Sequence, residues 1–153
     1  MSRKDRLQDD MKVALRAGDR ARLSVIRMAL AAVKQREIDE RRTLTETEEI
    51  AVIEKLVKQR RESVAQFEQA GRSDLATKES AEVAVLKDYL PEQLSSDEID
   101  GVIDTAIAST GATGIRDMGK VMAELKQHTQ GRAEMGIVSA RVKHRLGSRE
   151  NTE

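Results

Sequence analysis

Apolar residues recur along this chain every three or four positions, which is the repeat of a helix with one buried face. Leu7, Met11, Ala14 and Leu15 form a first stripe, and Gly18-Asp19 interrupts it before Leu23, Ile26, Leu30 and Val33 form a second. Val25, Met28 and Ala32 give that second helix another apolar side, so it is expected at the centre of its bundle. After the polar stretch Asp39 to Thr43, Thr45 and Glu48 make a capping box that opens a long third helix. Ile50, Ile53, Val57, Val64 and Phe67 carry that helix to Gly71. Ser73 is expected to cap a fourth helix running through Leu75, Val83, Leu86 and Tyr89, which Leu90-Pro91 must end because the residue before proline resists the helical region.

Ser95 and Glu98 form a second capping box, and Ile99, Ile103, Ala106 and Ile107 define a fifth helix that closes near Gly111. Met118, Val121, Met122 and Leu125 line a sixth, and Val138, Val142 and Leu146 a seventh, with Gly131 between them. No segment alternates as a strand would. The pattern predicts an all-α fold, with an N-terminal four-helix part over residues 1–91 and a C-terminal three-helix bundle over residues 92–153. The one proline divides the two parts.

Composition sharpens this reading. One Phe, one Tyr and no Trp beside 35% charged residues disfavour strand-rich folds, and they leave no ring platform for stacking single-stranded bases. The absence of cysteine excludes a disulfide framework, a thiolate metal cage and a cysteine nucleophile in this chain. No uncharged apolar run approaches the roughly 20 residues needed to cross a bilayer, and the first ten residues lack an apolar signal core. The expectation is a cytoplasmic protein with no membrane segment.

Basic and acidic side chains both number 27, yet their distribution is uneven. Residues 1–72 carry a net +4, residues 73–110 a net −7 and residues 111–153 a net +3. The last block either meets phosphates through a local basic patch or pairs with the acidic block before it.

Several patterns invite a chemical reading. Gly114-Ile115-Arg116-Asp117-Met118-Gly119-Lys120-Val121 nearly matches a P-loop, but Val121 replaces the hydroxyl that would hold magnesium, and no apolar strand precedes Gly114. Asp117-Met118-Gly119-Lys120-Val121 and Glu134-Met135-Gly136-Ile137-Val138 repeat Met-Gly-x-Val at two expected helix starts. Asp117 is there a candidate N-cap for the amides of Gly119 or Lys120. Gly119 and Gly136 read first as helix-packing glycines, the alternative being close approach of a ligand, and Lys120 remains free to reach a phosphate. Arg60 interrupts the third apolar stripe and is expected to pair with Glu79 or Glu82 while Lys58 faces solvent, the alternative being that Lys58, Arg60 and Arg61 form an exposed basic turn for RNA or a protein partner. His128 and His144 have no companion at zinc-ligand spacing and read as surface residues. No catalytic residue, metal ligand or cofactor site emerges.

Six segments resemble the GatB/YqeY family in order: Val25-Ile26-Arg27-Met28, Lys58-Gln59-Arg60-Arg61-Glu62-Ser63, Phe67-x-x-Ala70-Gly71-Arg72, Tyr89-Leu90-Pro91-Glu92-Gln93-Leu94, Asp117-Met118-Gly119-Lys120-Val121-Met122 and Gly131-Arg132-Ala133. The resemblance covers about residues 3–147 and is to the free-standing YqeY-type protein, with Glu134 standing where the family often has Asp. It implies an all-helical fold whose C-terminal part is similar to the tail of the B subunit of the tRNA-dependent amidotransferase, which helps hold tRNA. It also implies the family label of a carbon–nitrogen ligase with glutamine as nitrogen donor.

This chain lacks a Gly-Gly-Ser-Ser amidase motif and a recognisable ATP site. The leading expectation is therefore a tRNA-binding or tRNA-metabolism accessory module that is not catalytic alone. Structured RNA is recognised by shape and phosphate contacts, which need Lys and Arg on a rigid helical face. Lys120, Lys126, Arg132, Arg141, Lys143 and Arg145 are the candidate RNA-binding residues, with tRNA or another structured RNA as partner. The alternatives are a component of a carbon–nitrogen ligase acting on misacylated tRNA, with a protein partner in tRNA amidation, and a protein-interaction adaptor.

Overall fold

The computed structural model describes residues 2–150. Its architecture is all-α: α1 (Arg3–Ala17), α2 (Arg20–Glu40), α3 (Glu46–Gln69), α4 (Ser73–Lys87), α5 (Ser96–Thr110), α6 (Met118–Thr129) and α7 (Met135–Glu150), with a 3-10 turn at Ile115–Asp117. No strand occurs among the described residues. Backbone contacts divide the chain between Leu90 and Pro91 into two compact units.

In the first unit α2 packs on α1, α3 and α4, and α3 likewise touches the other three helices. On α2 the buried Leu23, Val25, Ile26, Ala29, Leu30 and Val33 lie on more than one side, as the doubled apolar pattern predicts. The α1–α2 turn is tight because Gly18 takes the left-handed conformation at φ 68°, where an L side chain is strained. The α2 end uses Arg41 in the same region, at φ 54°. Leu15 departs from its expected place in the α1 stripe. It is 59% exposed, and only Leu7 and Ala14 of that helix are buried.

Side chains from distant elements satisfy the helix ends. Ser2 and Asp5 form a capping box on α1, and the buried Glu49 of α3 accepts from the Lys4 amide at 2.9 Å. The Lys4 ammonium and the Leu44 amide both donate to Glu37, which holds its carboxyl below the ordinary range. Ser73 does not cap α4 as expected. It is the first helical residue, Arg72 occupies the cap position without a side-chain bond, and Arg72 instead grips Asp74. Arg60 meets Glu82 at 3.3 Å and donates to the Met28 sulfur, so the break in the α3 stripe is a partnered arginine.

Tyr89 ends this unit. Its side chain is 1% exposed, its hydroxyl donates to Asp10, and the Arg6 guanidinium lies 5.0 Å from its ring centre. Arg3 donates to the Tyr89 carbonyl and Arg6 to the Asp88 carbonyl, so α1 satisfies acceptors that α4 leaves open.

In the second unit, Ile99, Ile103, Ala106 and Ile107 of α5 pack against Val121 and Leu125 of α6 and Val138, Val142 and Leu146 of α7. The Ser95–Glu98 capping box forms and holds the Glu98 carboxyl low. The segment after Pro91 is laced to the α6–α7 turn: Gln93 donates to the Gly131 carbonyl, and the Leu94 amide to the Arg132 carbonyl, both at 2.7 Å. The Ile115 amide donates to Glu150 at 2.7 Å, which ties the end of α7 to the turn before α6.

Burial and the bond to Asp10 push the Tyr89 phenol up to about 12 from its ordinary 10.0. The native state holds that proton more tightly than the unfolded chain, so the stabilisation is complete below pH 10 and is lost as pH rises through 12. Tyr89→Phe is expected to destabilise the protein by about 1–2 kcal/mol near neutral pH and to abolish this alkaline component, as read in urea unfolding at several pH values. Glu37, Glu48 and Glu98 have the opposite sign. Their pKa values are lowered from 4.5, so their contribution is present above that pH and fades as acid is added.

Candidate nucleic-acid interface

The six candidate cations of the second unit separate by residue type. Lys120 and Lys126 on α6 and Lys143 on α7 are exposed and take part in no ion pair or hydrogen bond. Lys120 interacts only through its charge, which helps to lower the carboxyl pKa of Asp117. The three arginines are turned inward instead. Arg141 donates to the Ser96 carbonyl at 3.0 Å, the Ser96 hydroxyl at 2.6 Å and Asp100 at 3.2 Å. Arg145 donates to Asp104 at 2.5 Å and reaches Asp100 at 3.9 Å. Arg132 donates to the Glu92 carbonyl at 3.3 Å.

Arg141 and Arg145 share a face, as their four-residue spacing predicts, but that face lies on α5. With His144, Ser96, Asp100 and Ala140 they line a cleft of about 400 Å3. Two aspartates neutralise the guanidinium groups there, so the cleft is a weak anion trap. For these two arginines, pairing between the basic and acidic blocks outweighs the display of positive charge. His144 was not singled out for this position. Its signal was its place on α7, three residues after Arg141 and next to Arg145.

The Met-Gly repeats are also rearranged. Asp117 does not cap α6: its carboxylate accepts from the Thr113 amide at 2.9 Å and the Gly114 amide at 3.4 Å, and these bonds, the Thr113 one first, hold its pKa low. The 3-10 turn at Ile115–Asp117 is what points the carboxylate backward. Gly119 and Gly136 are not packing glycines within this chain. Both are exposed, and an added Cβ at either would meet nothing within 4 Å. The segment from Gly114 follows α5 and forms that turn, so it lacks the strand-to-helix context of a P-loop. His128 and His144 are both exposed.

A family model described as "Yqey-like protein" matches residues 4–146. The protein named "Altered inheritance of mitochondria protein 41, mitochondrial" from Pyrenophora tritici-repentis is 29% identical over 147 residues, covering 94% of this chain and 81% of its own length. Its namesake from Kluyveromyces lactis is 38% identical over 84 residues, 54% of this chain and 45% of that protein. The one from Eremothecium gossypii is 33% identical over 127 residues, 80% of this chain and 69% of that protein. These names overturn the expectation of a cytoplasmic protein, because the relatives are named as mitochondrial. The criterion was at fault: mitochondrial transit peptides are amphipathic and Arg-rich, so an apolar signal core does not report on them. No helix among the described residues is long and apolar enough to cross a membrane.

Open space at the glycines and closed space at the arginines give opposite expectations. Gly119→Ala and Gly136→Ala should leave stability unchanged or raise it by up to about 1 kcal/mol, since alanine favours helix and nothing obstructs its methyl group. Arg141→Ala and Arg145→Ala should each lower stability by about 0.5–1 kcal/mol, the range of half-exposed ion pairs, whereas Lys126→Ala and Lys143→Ala should lie within about 0.5 kcal/mol of the parent. Thermal unfolding of the six variants checks the division.

Proposed function

The chain belongs to the Yqey-like protein family, and from that membership we propose that it is a non-catalytic accessory module that binds structured RNA, tRNA above all. The observation that supports this is the set of lysines that make no hydrogen bond or ion pair among the described residues. Lys120, Lys126 and Lys143 project from rigid helices of the second unit while neighbouring arginines bind α5 or backbone. A folded RNA offers phosphates at the spacing of helix faces and needs no aromatic stacking, which this chain could not supply. In this reading Lys120, Lys126 and Lys143 contact phosphate. Arg132, Arg141 and Arg145 position the helices that carry them. The resemblance of the C-terminal part to the amidotransferase tail points to the same ligand.

We further propose that the two parts are independently folding domains, a four-helix one and a three-helix one, joined at Pro91 to Ser95. Each has a hydrophobic core of its own. Limited proteolysis should cut first in that connection. Absence of helical circular dichroism from a fragment beginning at Pro91 would count against separability.

Filter binding of bulk tRNA across a salt series tests the RNA reading. Lys120→Ala, Lys126→Ala and Lys143→Ala should each weaken binding, and each should reduce the slope of log K against log salt by about 0.9. Melting temperatures should stay unchanged. If the parent protein binds tRNA no better than a neutral control at low salt, the reading fails.

A further inference from the structure

Among the charged motif residues Arg60, Arg72, Asp117 and Arg132 have a task in the fold, whereas Arg27 makes no such bond. Around it Val25 and Ile26 are buried, and Met28 accepts from Arg60. Arg27 itself is exposed and makes no hydrogen bond or ion pair. It lines a groove of about 490 Å3 between α1 and α2, whose apolar lining is Met11, Leu30 and the exposed Ala31. Lys12 and Lys34 share the lining and make no hydrogen bond or ion pair among the described residues, although the Lys34 charge helps to hold the Glu37 carboxyl low. The carboxylate one turn from Lys34, Glu37, is already engaged by Lys4 and the Leu44 amide.

The apolar surface continues past the groove. On α1, Leu15 follows Met11 by one turn and is 59% exposed; on α2, Ile38 follows Lys34 by one turn and is 68% exposed. From Arg27 to Ile38 this face of α2 runs three turns, about 16 Å. A face of that length, on which apolar side chains stand beside cations that make no ion pair, matches a helix with an apolar stripe and acidic borders. It suits a nucleic acid poorly, because phosphates gain nothing over leucine and isoleucine and no ring is present to stack a base. A second copy of this chain fits poorly as well: Asp100 and Asp104 of α5 are held by Arg141 and Arg145, and Glu82 of α4 by Arg60.

We propose that the α1–α2 groove is a docking site for an acidic amphipathic helix of a partner protein. The apolar side chains of the partner seat on Met11, Leu30 and Ala31 and run over Leu15 and Ile38. Its carboxylates pair with Lys12, Arg27 and Lys34. This is independent of the RNA reading, which concerns the second unit and other residues.

Fluorescence anisotropy on the full chain tests it. The probe is a fluorescein-labelled designed peptide about five turns long, with leucine at helical spacing and glutamate on both borders, compared with a scrambled isomer of the same composition. The amphipathic peptide should bind at least about tenfold more tightly than the scrambled one, and R27E/K34E should weaken it at least about tenfold while favouring a peptide with lysine in place of glutamate. Leu15→Ser and Ile38→Ser should each weaken binding about threefold, and bulk tRNA should not displace the peptide. R27Q/K34Q gives the same comparison, with a smaller loss, should the reversal variant fold poorly. Equal affinity for the scrambled peptide, indifference to both double substitutions, displacement by tRNA, or self-association that R27E/K34E abolishes would each overturn the proposal.

Discussion

Tyr89 joins the two ends of the first unit, and the unit depends on it because the sequence offers so little else of that size. In 153 residues there is one tyrosine, one phenylalanine and no tryptophan. Phe67 is only partly buried, so the tyrosine ring is the large aromatic surface available to the core. A buried phenol requires a partner, which Asp10 supplies, and the cation of Arg6 lies against the ring. The same α1 brings Arg3 and Arg6 to the last carbonyl groups of the α4 exit. The tyrosine side chain and the neighbouring carbonyl groups thereby tie the first helix to the exit of the fourth.

A second theme is the division of labour between the two basic residue types. Guanidinium has five donors in a planar fork and tolerates partial burial, so Arg3, Arg60, Arg132, Arg141 and Arg145 bind carbonyls and carboxylates across elements. Ammonium is compact and strongly hydrated, and most lysines here remain in solvent. Lys4 is an exception, held by Glu37 at the start of α1. A net charge near zero therefore conceals a surface on which lysines outlast arginines as available cations. Arg27 belongs with Arg16, Arg20 and Arg41, exposed arginines whose side chains make no hydrogen bond or ion pair among the described residues.

Helix positions were legible in the sequence because periodicity, capping boxes and Pro91 are all local. Thr45, Ser95 and Gly111 stand at the expected ends, and Arg60 meets one of its two expected acids. Side-chain direction was less legible. Asp117 precedes α6 as an N-cap should, but it ends a 3-10 turn and accepts instead from the Thr113 and Gly114 amides that precede that turn. Gly119 and Gly136 look like packing residues because glycine so often is, yet sequence does not say whether a facing helix is there. The candidate cations show the same limit. Periodicity placed Arg141 and Arg145 on one face, while only the fold could tell that α5 covers it.

The bond between Tyr89 and Asp10 spans 79 positions of the chain, whereas α1 with α2 and α3 with α4 are hairpins of neighbouring helices. Hairpins of this kind close cheaply and early, because little loop entropy is lost. Joining the first helix to the end of the fourth must wait until the segments between them are in place. A contact that forms after the folding transition state governs how fast a unit unfolds far more than how fast it forms. The lone tyrosine is thus a latch on the lifetime of the native state.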